Sequence, residues 1–583
     1  MNISQYKPSN TMREDAVESL SQLPLIGEAV EPAGRRRLRP GESSKSNEAV
    51  SLEPNVVLEV DGARYECSCG DGRVVVVKCD STASALEVPS EIAGLPVMEI
   101  GPHAFCTCYL LKQVALPGAV SAIGSYAFMN TALASFDSPE NLRSIGDNAF
   151  YKCNRLRRVS LNDRLERIGA NAFRETALEE IDVPLSVELI GLDAFKDTKL
   201  VYTDQPSLRI ADGHPYYRLE LGGLYRLTPE GLELVQVLDE NTVDFEGPNG
   251  LAAIGTRAFA GLTLLKHAHV PEGVTHIGDA AFKGCSRLTD VSLPDSVHSI
   301  GKQAFCDTAL RSLRIPASLE SVGAAAFYTG GSIAERFNRT IQQVSVPEEN
   351  AHFYLDHDIL CWKRSSKGSI ALLYVGDAER VVIPPNITAI GAYAFLKASC
   401  VRHLVIHDAI DFIDVGGLDF GRGLADVEYL VYDGNEQPVK RYRLVFPPGK
   451  AGWQAARQVF SRGSFNLAYA FAAVDNAILI TQDVHYRSKA MLERLKDPVM
   501  LDDHMREAFE KKLARSLAST VVAFGQNGYH QGIDLLFEAG TLTADNIDGA
   551  IEAAAASGEV AVVSRLIEIK RTSFQAPLFD FEL

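Results

Sequence analysis

A chain of 583 residues, 46% hydrophobic and 23% charged, is too long for one compact core and has the composition of a folded protein, so several domains or an elongated array are expected. Its 57 Lys and Arg against 75 Asp and Glu leave a net charge of −18, which repels polyanions and excludes broad nucleic-acid binding. No apolar run reaches the roughly 20 residues that cross a bilayer. The chain as written also lacks a basic start followed by an apolar run, so these residues alone predict a cytoplasmic location.

Residues 1–54 are rich in Ser, Glu, Pro and Arg without any period and are expected to form a disordered tail. Residues 55–99 read as an N-terminal β cap. VVLEV from Val56 turns at Asp61-Gly62 into ARYEC, and a second turn at Gly70-Asp71-Gly72 leads into Val74 to Val77. Such strands would cover the open apolar edge of the next segment.

From Ile100 the chain repeats itself. An apolar residue, Gly, two variable residues, Ala and Phe begin at Ile100, Ile123, Ile145, Ile168, Ile190, Ile254, Ile277, Ile300, Val322 and Ile390, mostly 22 or 23 residues apart. That period predicts a solenoid, because one unit cannot bury its own apolar face. In Leu156-Arg157-Arg158-Val159-Ser160-Leu161 the apolar residues two apart share one face of a strand, with Arg158 and Ser160 pointing out. Ile145, Ala149 and Phe150 are expected to share one side of a short helical turn, with Gly146 permitting a bend that a side chain would hinder. Units with Cys after the Phe (Cys108, Cys153, Cys285) run 23 residues and units with Thr (Thr131, Thr176, Thr308) run 22. The lost residue falls at a bend, so the strands are expected to stay in register. Repeats occupy 100–200 and 251–341, with the last ones and a closing edge at 390–446; β-rich inserts are expected at 201–250 and 342–389.

Beyond Pro447-Pro448 the apolar period changes from 2 to 3.6, and 447–583 reads as a helical domain that caps or extends the solenoid, with Leu513, Leu517 and Val521 on one face.

The units resemble the BspA-like leucine-rich repeats of bacterial proteins, most closely at Ile145 to Leu161 and Ile277 to Pro294. The segment from Glu87 to Ile100 is similar to that family's entry into its first repeat, and the resemblance covers roughly residues 55 to 430. It implies a leucine-rich repeat solenoid: a parallel strand ladder with short helical turns and β-rich inserts. It also implies a non-enzymatic interaction role at a bacterial surface or with a host, on the cell surface or secreted. Ile551 to Gly558 followed by Val562 to Ile567 resembles an ankyrin-like helix pair, with a weaker copy at Gly528 and Ile533 to Leu536.

No nucleophile elbow, zinc-protease motif or phosphate loop occurs in a fitting setting, so no enzyme activity and no cofactor are expected. Two groups have ligand types suited to a metal: His103, Cys106 and Cys108, whose spacing departs from a structural zinc site, and His267 with His269. Both are expected to be ordinary core or surface positions. The alternative of an enzyme rests on Asp483, His485 and Tyr486, a compact polar group in the helical part. What remains is a surface. The outward strand positions form two columns, and the candidate binding residues on them are Gln113, Ser135, Asp137, Arg158, Ser160, Glu180, Asp182, His267, His269, Asp290, Ser292, Ser312 and Arg314. Solenoids commonly dock partners on such a face. A protein or glycan ligand is expected, with no membrane span; an intracellular scaffold is the alternative, and the sequence leaves the oligomeric state open.

Overall fold

The computed structural model describes residues 56–200, 207–328, 341–364, 368–396, 398, 400–414, 416–418, 420, 423–433, 437–460, 463 and 465–574. The tail expected over 1–54 lies outside the described residues. From Val56 to Val445 the chain is a β-solenoid, and from Lys450 onward it is helical.

Each coil carries two strands, not one. In the coil that begins at Ile145, a two-residue strand, Ser144–Ile145, precedes the turns and the expected longer strand, Arg158–Ser160, comes after them. Between them the chain bends through i→i+3 hydrogen bonds, Ala149 N to Gly146 O at 3.3 Å and Tyr151 N to Asn148 O at 3.1 Å. Most other backbone groups bond to neighbouring coils. Gly146 N reaches back to Ile123 O at 2.8 Å, and Phe150 N reaches forward to Ala172 O at 2.9 Å. A lone coil would leave these groups unpaired, which is why the unit is stable only in a stack.

The repeated glycine has a different task from the one its sequence suggested. The left-handed backbone falls to Asn148 (φ 58°) and Lys152 (φ 62°), each at a cost of about 1 kcal/mol. Gly146 instead permits close approach. A Cβ there would lie 2.6 Å from Ser125 N and 2.7 Å from Gly124 C in the preceding coil. The coils are therefore spaced by bare backbone at this point.

Ile145, Ala149 and Phe150 are fully buried, and the phenylalanines stack from coil to coil. Ring centroids are 4.9 Å apart from Phe105 to Phe128, then 5.3 Å to Phe150 and 5.3 Å to Phe173. The second run stacks likewise, with 4.4 Å from Phe259 to Phe282 and 5.1 Å to Phe305. Cys and Thr at the next variable position do one job: a buried donor for a backbone carbonyl. Cys153 Sγ donates to Phe128 O at 3.0 Å and Cys285 Sγ to Phe259 O at 3.1 Å, while Thr176 Oγ1 donates to Phe173 O at 2.8 Å.

The shorter Thr coils do disturb the ladder. The strands after Thr131, Thr176 and Thr308 are Ser135–Asp137, Ile181–Val183 and Ser312–Arg314, and each pairs in parallel with the next long strand along the chain. Among the described residues, none forms a ladder with the strand before it; an isolated bridge between Arg158 and Glu180 and single backbone bonds such as Ala309 N to Leu288 O at 3.0 Å join them instead. The short-strand ladder runs unbroken through the same coils, from Leu95–Ile100 to Leu189–Ile190. Register is kept as expected, since Arg158 stands beside Glu180 and the bonds Ala134 N to Lys112 O (3.1 Å) and Glu179 N to Arg157 O (3.0 Å) hold the same offset of 22; what the lost residue costs is the continuous long-strand ladder.

The cap and both inserts prove to be one unit used three times. Val56–Val60, Ala63–Gly70 and Arg73–Ser81 form an antiparallel meander. Tyr217–Glu220, Gly223–Thr228 and Gly231–Val237 repeat it, and so do Phe353–Asp356, Ile359–Arg364 and Gly368–Tyr374. In each, the third strand runs parallel to the next short strand with a register shift at the corresponding place. Cys79, Val237 and Tyr374 then occupy the phenylalanine position, their N–H groups bonded to Ala104, Ala258 and Ala394. The first meander opens one apolar cluster, and each of the two inserted ones closes a cluster and starts the next.

The helices finish the third cluster. Ile413 and Gly463 exchange backbone hydrogen bonds of 2.9 Å, covering the last short strand, and Tyr486 Oη donates to Phe446 O at 3.2 Å. Leu513, Leu517 and Val521 are buried as expected, but on two helices, since Ser516 ends Asp503–Arg515 and precedes Leu517–Gln526. The C-terminal helices turn at Gly528 (φ 66°) and Gly558 (φ 80°).

Candidate binding face

The long strands turn their outward residues to solvent along the solenoid. Pairing sets who stands beside whom. Ser135 neighbours Arg158 and Asp137 neighbours Ser160; Asp182 neighbours Arg209. In the second run, Asp244, His267 and Asp290 form one column and Glu246, His269 and Ser292 the next.

Several of these groups are already engaged. Arg209 forks onto Asp182, with Nη2 3.0 Å from Oδ2. His267 Nδ1 lies 2.6 Å from Asp244 Oδ1. Arg314 grips Asp295 through Nη1 and Nη2 at 2.7 and 3.0 Å, and this guanidinium holds the Asp295 carboxyl below its usual range. All are exposed pairs, each contributing at most about 1 kcal/mol to stability. Their main effect is to hold charged side chains in fixed directions on a flat sheet.

The repeated residues match a known repeat family. The family described as the BspA type leucine rich repeat region matches residues 85–202 and 239–344, in six copies. These residues are BspA-type leucine-rich repeats.

Among solved structures, a leucine rich cell surface protein from Faecalibacterium prausnitzii is 19% identical, covering 60% of this chain and 94% of that one, with a TM-score of 0.35. The pneumococcal vaccine antigen PcpA is 15% identical over 66% of this chain and 95% of its own, at 0.40. A leucine-rich repeat protein from Bacteroides ovatus is 18% identical over 63% and 81%, at 0.34. No curated protein matches.

On the leucine-rich repeat face, Gln113, Asp137, Arg158, Ser160, Glu180, Asp182, His267, His269, Asp290, Ser292, Ser312 and Arg314 are exposed, and Ser135 is half-buried. The columns are not continuous, because the ladder opens at each Thr coil and at each meander. The face is therefore a series of short sheets. His403 extends the first column between Arg380 and Asp426, each 23 positions away in the chain, with Glu428 beside them, and the structure adds neighbours that the repeat period could not indicate: Arg441 and Arg443, arriving from an antiparallel strand.

The other groups singled out by the sequence have structural occupations. His103 lies flat on Tyr126, with centroids 4.9 Å apart, while Cys108 Sγ points inward to Cys79 O at 3.3 Å, so the two do not converge. Among the described residues, no group of three or more His, Cys, Asp or Glu side chains is placed to hold a metal ion. Asp483 caps its helix by accepting from Tyr486 N at 2.9 Å. His485 packs edge-on against Phe524 and Tyr529. Burial raises the Tyr486 hydroxyl to about 12, far from general-base range. No helix among the described residues is long and apolar enough to cross a membrane.

Proposed function

We propose that this chain is a non-enzymatic docking protein whose outward long-strand columns take a protein or glycan ligand, with the C-terminal helices as solenoid cap and second interaction surface. The observation that carries the reading is the row of exposed side chains on the long strands, mixed in charge, held on rigid elements and backed by a stacked core. A leucine-rich repeat has little else to offer a partner. Its variable residues lie outward on the strands, whereas the repeated ones fill the coil.

The setting that goes with this repeat type is a bacterial cell surface, with an intracellular scaffold as the alternative. Capture is therefore compared between host-cell extract and extract of the producing cell. Reversing charge at Arg158, Glu180 and Asp182 together is expected to lower recovery of a captured partner at least tenfold without altering thermal unfolding. Unchanged recovery would remove these columns from the account, and capture confined to the producing cell's cytosol would favour the scaffold.

A further inference from the structure

Where the outer sheet meets the helices, four strands assemble a charged patch. Arg380, His403 and Asp426 stand in one column of parallel strands, and Arg441 and Arg443 come in on the closing strand Pro438–Val445. The Asp426 side chain is 8% exposed. Its Oδ2 accepts from Arg443 Nη2 at 2.7 Å and lies 2.9 Å from His403 Nδ1. Glu428 accepts from Arg380 Nη2 and from Arg441 Nη1, both at 3.0 Å. The three arginine side chains remain more than half exposed. Each has five donors, so these bonds fix its direction and leave most of its N–H groups toward solvent.

Among the residues on the four strands, three arginines stand against two carboxylates; Glu493, on the helix Val484–Lys496, also acts on Arg443 and is itself 4.0 Å from Lys489, so the patch keeps a positive excess before His403 is counted, within a chain of net charge −18. Charge on a closing strand guards against edge-to-edge pairing. That purpose does not require the arginines to be steered by carboxylates on the neighbouring strand, one of them nearly buried. Two exposed valines share the outer surface: Val445 opposite Asp426, and Val382 two residues beyond Arg380.

We propose that this patch binds an acidic peptide segment carrying aliphatic side chains beside its carboxylates. The proposal rests on reading the outer sheet as a docking surface and gives that surface one class of partner. Guanidinium groups recognise carboxylates through paired hydrogen bonds, and a peptide also covers the valines. A sulfated polysaccharide would satisfy the charge and leave Val382 and Val445 bare.

The test is fluorescence anisotropy on the full chain, using a labelled decapeptide of Glu, Asp, Leu and Val. The same peptide with Lys at every acidic position serves as a comparison, and so does heparin. Saturable binding of the acidic peptide is expected, weakening with salt, and falling at least tenfold in Arg380→Ala with Arg441→Ala, both exposed, while thermal unfolding stays unchanged. Arg441→Lys, which keeps charge but loses the fork, should weaken binding several-fold and guards against a folding defect in the double variant. No saturable binding, equal binding of the Lys peptide, tighter binding of heparin, or undiminished binding in the variants would each overturn the proposal. If the peptide fails to bind while charge reversal at Arg158, Glu180 and Asp182 still abolishes capture, the inference falls and the docking reading stands. If neither has an effect, both fall.

Discussion

Gly146→Ala is expected to unfold the first block of coils at a much lower denaturant concentration than the parent chain, with a loss of about 3 kcal/mol or more. The reason is geometric. The added methyl would sit 2.6 Å from Ser125 N, 2.7 Å from Gly124 C and 2.9 Å from Ile123 O. All three are backbone atoms of the preceding coil, so no side chain can swing aside, and the stack must open where Gly146 N bonds Ile123 O. Gly118→Ala is the control: nothing lies within 4 Å of its Cβ position and its φ is not left-handed, so stability should change by less than about 0.5 kcal/mol or rise slightly. Urea unfolding gives the magnitude, and hydrogen exchange localises it to the coils around residues 123–168. Equal stability of the two variants would mean that the coils are not packed backbone to backbone.

Phe150→Ala should cost about 3–5 kcal/mol. Phe150 is fully buried, stacked at 5.3 Å on both Phe128 and Phe173 and tilted against Phe136 at 4.8 Å. Truncation would leave a cavity bounded by three rings that belong to neighbouring coils. Because each coil contacts chiefly its neighbours, the loss should spread along the first block and spare the helices. The check is hydrogen exchange: protection should fall in the coils on both sides of 150 while helices such as Leu517–Gln526 keep theirs. Uniform loss across the whole chain would indicate one cooperative globule instead.

Much of this fold can be read from the residues because the solenoid repeats its chemistry. Ile145, Ala149 and Phe150 recur at fixed spacing, and their burial follows from the need of every coil to fill the same interior. The interchange of Cys153 with Thr176 is also legible, since both are small residues with a donor. Other features escape because they involve no periodic side chain. The strand Ser144–Ile145 is two residues long, too short for alternation to mark. Gly146 looks like a turn residue until the neighbouring coil is in place. The three meanders share a hairpin logic of alternating apolar residues and Gly or Asp turns, yet little sequence, so nothing in Val56–Ser81 and Tyr217–Val237 marks them as the same unit.

The candidate face was legible as two columns, since outward positions are fixed by the period of 2 along each strand. Its interruptions were not. A one-residue deletion after Thr131 changes pairing geometry, which depends on how two coils settle against one another. The patch around Asp426 was hidden for another reason. Arg441 and Arg443 lie on a strand outside the repeat, and its antiparallel approach brings them to Glu428 and Asp426, 13 and 17 positions away in the chain.

The most direct test of the account is photocrosslinking from single sites. A benzophenone side chain placed at Ser160 or Ser292, on the long strands, should crosslink a bound partner, and one at Glu166 or His298, beside the short strands, should not. Crosslinks from the short-strand side alone would place recognition on the opposite face and contradict the reading proposed for this solenoid.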